Sequence, residues 1–268
     1  MTSVAARPAH PAPAQKPRSK VVDYLTTTDH KKIGVMYLVF SFFSFIVGGV
    51  LALGIRTQLA TPGGTIIKDP DTYNQLFTMH ATAMLFFFII PIWVGWGNYI
   101  VPLQIGALDM AYPRINALSF WLLPAGFVTV FAGYFVGGGP AAQGWTNYPP
   151  LSDARFATGH GTDLWILGLA LVGISSTLGA INFLVTIFKM RAPGMTMFRM
   201  PVFTWNILVT SILTLLALPV LTSALAMLFL DRNYGASFFD PGTGGNAILW
   251  QNLFWFYSHP AVYIMILP

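Results

Sequence analysis

Six stretches of this chain are apolar and long enough to cross a bilayer, which takes about 20 residues of helix, and they leave few folds open to it. By hydropathy they fall at roughly 33–55, 76–102, 117–139, 163–188, 203–230 and 247–268. The breaks between them are rich in turn residues: TPGG at 61–64, YPRIN at 112–116, GGGPAAQG at 137–144, RAPG at 191–194 and DPGTGG at 240–245. The expected fold is therefore all-α, a polytopic membrane helix bundle with six transmembrane helices. No period of 20–50 residues recurs, so there is no solenoid or propeller signal.

Composition agrees. Only 9% of the 268 residues are charged, 55% are hydrophobic and the mean hydropathy is +0.63, whereas soluble domains carry about 25% charged residues. The nine acidic residues are all Asp, with no Glu anywhere. The absence of Cys excludes disulfides, thiolate metal sites and iron–sulfur clusters within the chain. The net charge of +5 is no nucleic-acid signal, because Lys and Arg sit at segment ends rather than in a patch with interleaved aromatics. Residues 1–24 begin with MTSVAARPAHPAPAQKPRSK, a basic stretch rich in Ala and Pro that lacks the apolar core of a signal peptide; they read as a disordered cytoplasmic tail.

Ten Lys and Arg (Arg7, Lys16, Arg18, Lys20, Lys31, Lys32, Arg114, Lys189, Arg191, Arg199) fall on one side of the six spans and four (Arg56, Lys68, Arg155, Arg232) on the other, which puts the N-terminus in the cytoplasm. Polar groups inside spans are costly and therefore functional candidates. Three of the five His are set aside: His10 in the tail, His30 in TDHKK before the first span and His160 in an outer loop. His80, about one turn inside the outer end of the second span, reads either as a ring bonded to a neighbouring helix or as a metal or haem-iron ligand. Arg56, at the outer end of the first span, either snorkels to the interface or bonds a cofactor's polar substituent.

His259 lies twelve residues into the sixth span, roughly 18 Å deep at 1.5 Å per residue. Pro260 follows it and invites a kink. Tyr263 and Trp255 lie at i+4 and i−4, on the face of His259. A His–Tyr pair near mid-membrane suits copper beside a redox-active phenol, though copper needs further imidazoles from elsewhere.

The segment FWFYSHPAVYIMILP resembles the sixth-helix signature W-x-x-x-H-P-x-V-Y of subunit I of the haem–copper terminal oxidases. TDHKKIGVMYL, IRTQL, FTMHATAM, GNYIVPLQIGALDMAYPRINALSFW, GWTNYPPLS and SSTLGAINF agree with the same family in order and spacing, so the resemblance runs from about residue 25 to the end. It implies an enzyme, a proton-pumping cytochrome c oxidase. Residues 25–268 would be the N-terminal half of its twelve-helix transmembrane domain, carrying helices one to six.

The resemblance implies that His80 is an axial ligand of the low-spin haem, with Arg56 hydrogen-bonded to that haem's formyl or equivalent group. His259 would ligate copper of the dioxygen-reducing centre, and Tyr263 would be the tyrosine covalently joined to it. Trp255 and Trp145 would pack against the high-spin haem; both haems are expected as haem A. A cytoplasmic proton path would start at Asp109, pass Asn98 and Asn116, and continue through water held by Ser175 and Ser176. The family's Glu two residues after the copper-ligating His is replaced here by Ala261. Tyr257, one turn back on the same face, and Ser258 resemble the Tyr-Ser variant of the family. Gln58 stands where some members carry a Glu that helps bind a structural cation.

The other haem and copper ligands of the family come from later helices, so a split subunit is expected, its C-terminal half on a separate chain. Subunit II with a two-copper centre, subunit III, cytochrome c and membrane lipid are the other implied partners, in a bacterial inner membrane. A quinol oxidase of the same superfamily is a neighbouring reading. From other classes, a haem-free proton-coupled transporter and a non-catalytic scaffold also use polar residues in apolar helices.

Overall fold

In hydrocarbon every backbone N–H and C=O must find its partner within the protein, and a helix satisfies this segment by segment. A computed structural model describes residues 19–64 and 66–268. Among the described residues the only β feature is an isolated bridge between Pro140 and Gly161. The helices are α1 (Lys20–Leu25), α2 (His30–Gln58), α3 (Pro70–Thr82), α4 (Ile90–Ile105), α5 (Pro113–Phe131), α6 (Gly161–Lys189), α7 (Val202–Tyr234) and α8 (Ala247–Ile266). A π segment, Ala83–Ile89, joins α3 to α4 in one continuous rod, and a 3₁₀ turn, Ala132–Phe135, closes α5.

Five of these rods are long and apolar enough to cross a membrane: α2, the α3–π–α4 rod, α5 with its 3₁₀ turn, α6 and α7. The protein is an integral membrane protein. The expected sixth span, α8, is a helix of 20 residues but falls short in apolarity, so the count among the described residues is five rather than six. Gln251, Asn252, Ser258 and His259 are what dilute it. Of the expected tail, residues 1–18 lie outside the described residues, while Lys20–Leu25 form α1, capped by the Ser19 hydroxyl.

Helix ends extend past the hydropathy limits because caps, not apolarity, set them. Asp29 accepts from the Lys31 and Lys32 N–H groups at 2.9 and 3.0 Å and starts α2. Asp69 does the same for Asp71 and Thr72, with Pro70 at the first position, so α3 starts six residues before 76. His80 therefore lies ten residues into its helix, roughly 15 Å from its first residue by rise.

α2 packs on the α3–π–α4 rod, α5 on α6, α6 on α7 and α7 on α8. Small residues permit the close approaches. A Cβ on Gly34 of α2 would sit 2.9 Å from the Gly95 carbonyl of α4, and one on Gly126 of α5 would sit 2.7 Å from the Gly168 carbonyl of α6. The main core runs through Tyr37, Phe86, Phe127, Trp165, Leu221, Trp250 and Phe254. Opposite it, α2 turns Val39, Phe42, Val50 and Leu53 outward, as a lipid-facing helix should.

The loop from residue 136 to 160 is strapped across the end of the bundle that carries Arg56. The Arg232 side chain, 2% exposed, donates to Asp163 at 2.7 Å and to the carbonyls of Ser152, Ala157 and Gly159. Arg155 joins Asp153 to Asp240 at 2.9 and 3.0 Å. Burial raises the Asp153 carboxyl, but hydrogen bonds from Arg155 outweigh it and hold the group below the ordinary carboxylate range. The Gly242 N–H and Arg155 lower Asp240 likewise.

Candidate functional site

α8 carries two stripes at helical spacing. Trp250, Phe254, Tyr257, Ser258, Ala261 and Ile264 are buried against the bundle, while Trp255, His259, Val262, Tyr263 and Ile266 are exposed. The helix runs through Pro260 without a break in its assignment. The His259 and Tyr263 rings meet edge to face with centroids 4.7 Å apart. His259 makes no hydrogen bond among the described residues, so its ring nitrogens are free to coordinate. Trp255 contacts Trp145 at 6.4 Å and donates its indole N–H to the Tyr148 hydroxyl, while Trp145 also lies against Phe254 and Phe86.

His80 is tied to α2: its Nδ1 lies 2.9 Å from the Gly48 carbonyl oxygen. A carbonyl only accepts, so Nδ1 carries the proton and Nε2 keeps its lone pair. The ring is thus bonded to the neighbouring helix, with Nε2 left without a hydrogen bond among the described residues. Arg56 lies eight residues beyond Gly48, about 12 Å along α2, exposed and without a hydrogen bond among the described residues. No hydrogen bond joins the two residues among the described residues. Among the described residues no three His, Cys, Asp or Glu side chains cluster as a metal site. The residues fit an axial haem ligand at His80 and one copper ligand at His259, with the remaining ligands to be supplied by other residues.

The polar residues divide into two groups. At the other end of the bundle Asp109 is half-buried and accepts from the Met110 N–H at 2.7 Å. Its turn is stapled to α6, where Asn182 bonds both backbone groups of Tyr112 and Thr186 accepts from the Ala111 N–H. Asn98 and Asn116 are each 1% exposed, and each keeps one amide atom unpartnered, Oδ1 in Asn98 and Nδ2 in Asn116. An orphan acceptor and an orphan donor of this kind are what buried water satisfies. No hydrogen bond joins Asp109 to either asparagine among the described residues.

Deeper in, a cavity of about 50 Å³ is lined by Tyr37, Ser119, Ser175, Ser176 and Tyr257 among others. Ser119 and Ser175 donate to each other's backbone carbonyls at 2.8 and 2.5 Å, which spends both protons. The Tyr37 hydroxyl, 2.9 Å from Ser119 Oγ, is therefore the donor of that pair. Tyr257 stacks on Phe86 with centroids 6.2 Å apart and turns its hydroxyl to no protein partner among the described residues. Ser258 is buried with its hydroxyl unpartnered.

Sequence reasoning missed Tyr37, Ser119, Asn182 and Thr186, which are ordinary polar residues until the helices pair. It also set aside His30, whose ring is 3% exposed and donates to the Asn98 carbonyl at 2.7 Å. The DHKK string gave no sign of that burial.

A profile of the cytochrome c and quinol oxidase polypeptide I family matches residues 32–268. The chain belongs to that family. A Streptomyces avermitilis protein carrying the name cytochrome c oxidase subunit 1-beta is 54% identical over all of this chain and 47% of its own length. The Corynebacterium efficiens cytochrome c oxidase subunit 1 is 50% identical, again over the whole chain and 47% of the relative. The Corynebacterium glutamicum cytochrome c oxidase subunit 1 is 49% identical with the same coverage. The chain thus spans about half the length of the curated relatives it matches. Gln58 bonds both backbone groups of Ile67 at 2.8 and 2.6 Å, which fixes the loop after α2.

Proposed function

We propose that this chain supplies the N-terminal ligands and the proton-input path of a terminal respiratory oxidase. The enzyme takes electrons from cytochrome c, reduces dioxygen to water and pumps protons across a bacterial cell membrane, with the N-terminus cytoplasmic. What carries the reading is the stripe of Trp255, His259 and Tyr263, left uncovered on a helix whose opposite face is packed. An imidazole and a phenol on an open face of a membrane helix are costly in hydrocarbon, so this face is built to be covered.

When bound, two haems, expected as haem A, and one copper ion deliver electrons to dioxygen. His80 would hold the low-spin haem through Nε2, its ring fixed by the Gly48 carbonyl, and Arg56 would hydrogen-bond that haem's formyl group. His259 would give one imidazole to copper. Tyr263, ring against ring with it, would hold a proton at its hydroxyl and release it with an electron. Trp145 and Trp255 would wall the high-spin haem. The remaining ligands come from helices beyond these 268 residues, whichever polypeptide carries them, and subunits II (with a two-copper centre) and III would complete the complex.

Asp109 collects cytoplasmic protons. Asn98 and Asn116 hold water with their orphan amide atoms, and Ser175 and Ser176 line the cavity that leads to Tyr257. Tyr257 and Ser258 stand in for the absent Glu. The path and the copper side lie on opposite faces of α8, so protons reach the site around the helix rather than along its open stripe.

Metal analysis and reduced-minus-oxidised spectra of the assembled complex test this. His259→Ala should lose copper and keep the low-spin haem band; His80→Ala should lose that band. Stoichiometric copper in His259→Ala would overturn the assignment. The family name also covers quinol oxidases, and turnover with reduced cytochrome c against a quinol separates the donors.

A further inference from the structure

α1 is amphipathic, yet it buries no side chain against the bundle. Val21, Val22 and Leu25 are all exposed, Val21 at 69%. At about 100° per residue these three fill one arc of the helix, and Lys20 and Asp23 take the opposite side. What holds α1 is polar. Ser19 caps it, Lys32 pairs with Asp23 at 2.6 Å, and the Lys32 ammonium stands 5.9 Å over the Tyr24 ring. Both members of that ion pair are open to solvent, where such pairs add little. A helix of six residues is marginal by itself in water, where about 12–15 are needed.

Only residues 26–29 separate α1 from the membrane-spanning α2, a reach of at most about 18 Å from Leu25 to His30. The Asp23–Lys32 pair draws α1 closer still, beside the first turn of α2. α1 therefore sits at the level where α2 leaves the hydrocarbon. Free charge at this level is positive. Lys20, Lys31 and Arg114 form no ion pair among the described residues, and Arg114 lines one groove with Thr28 of the α1–α2 link. Of the acids, Asp23 is spent on Lys32 and Asp29 on the N–H groups that open α2. An apolar stripe beside unpaired cations suits a membrane surface of net negative charge.

We propose that α1 is an interfacial anchor in the leaflet where α2 begins, with Val21, Val22 and Leu25 in the acyl boundary and Lys20, Lys31 and Arg114 against anionic lipid headgroups. The stripe continues the lipid-facing side that α2 presents from Val39 onward. The anchor requires only that α2 spans the membrane, so it stands apart from the oxidase reading. It holds the start of α2 at a set height, and with it the His30 ring that bonds the Asn98 carbonyl.

The test is made on the assembled complex in vesicles of phosphatidylcholine with phosphatidylglycerol. Because the chain has no Cys, a nitroxide label can be placed at Val22→Cys, at Leu25→Cys and, on the polar side, at Lys20→Cys, with the unsubstituted complex as background. The labels at 22 and 25 should collide more with dissolved oxygen, which concentrates in lipid, than with a water-soluble nickel chelate. The label at 20 should do the reverse. In vesicles of phosphatidylcholine alone, the oxygen-to-nickel ratio at 22 should fall toward the value at 20. Nickel-dominated collisions at both 22 and 25 overturn the anchor. Labels shielded from both reagents mean that a protein covers the stripe, which overturns it equally. One ratio in both kinds of vesicle overturns the assignment to anionic lipid. If Val22→Cys does not assemble, Leu25→Cys carries the test. A complex without haem or copper would sink the oxidase reading and leave these ratios as they are.

Discussion

Tyr257 and His259 are two residues apart and face opposite sides of α8, as a turn of 3.6 residues requires. One side chain is 1% exposed and looks into the cavity, the other lies on the open stripe. Tyr257→Phe keeps the stack on Phe86 and removes only the hydroxyl. We expect oxygen reduction in the assembled complex to fall on the order of 10²-fold, the low end for losing a positioned proton carrier, with haem spectra unchanged; normal turnover and pumping would refute a proton role. At this scale the sequence singles out candidates where a polar residue interrupts an apolar run, as His80, His259 and Tyr257 do. It was least legible where a residue matters through a distant partner. His30 reads as a flanking residue until the Asn98 carbonyl, 68 positions away, is found beside it. Tyr37 reads as core until Ser119 is.

Among the elements, hydropathy located the rods and caps set their limits. Apolarity cannot report Asp69 and Pro70 starting α3 six residues early, and it marks α8 less clearly than the other five rods because polar residues interrupt it. Nor does it announce the strap over residues 136–160, in which Arg232 gathers three carbonyls. Arg232→Met would strip hydrogen bonds from three carbonyls and leave Asp163, whose side chain is 12% exposed, without its cation. Removing one partner of a buried pair costs about 3–5 kcal/mol. A matching fall in the thermal stability of the complex, together with faster hydrogen exchange across residues 145–160, is the expected outcome.

Taken whole, the molecule is finished on one side and open on the other. α2 shows lipid Val39, Phe42, Val50 and Leu53, a surface at home in hydrocarbon, while α8 shows an imidazole and a phenol. Because the chain has no Cys, single cysteines report this directly. In the assembled complex Val50→Cys should react with a lipid-phase maleimide, and Val262→Cys, 51% exposed here, should not; equal labelling would mean that the α8 face is not an interior surface. The rod between these two sides holds a last constraint. Seven residues, Ala83–Ile89, wind more loosely than the helix around them, and they separate His80 from Asn98. Wound as an α-helix at its full length, the segment would swing everything downstream of it, aiming Asn98 away from the His30 ring while His80 stayed put, and excising a single residue would largely cancel that swing. Those seven side chains thus act as a phase shifter between the two ends of the rod, and the length of the segment is under as much constraint as its composition.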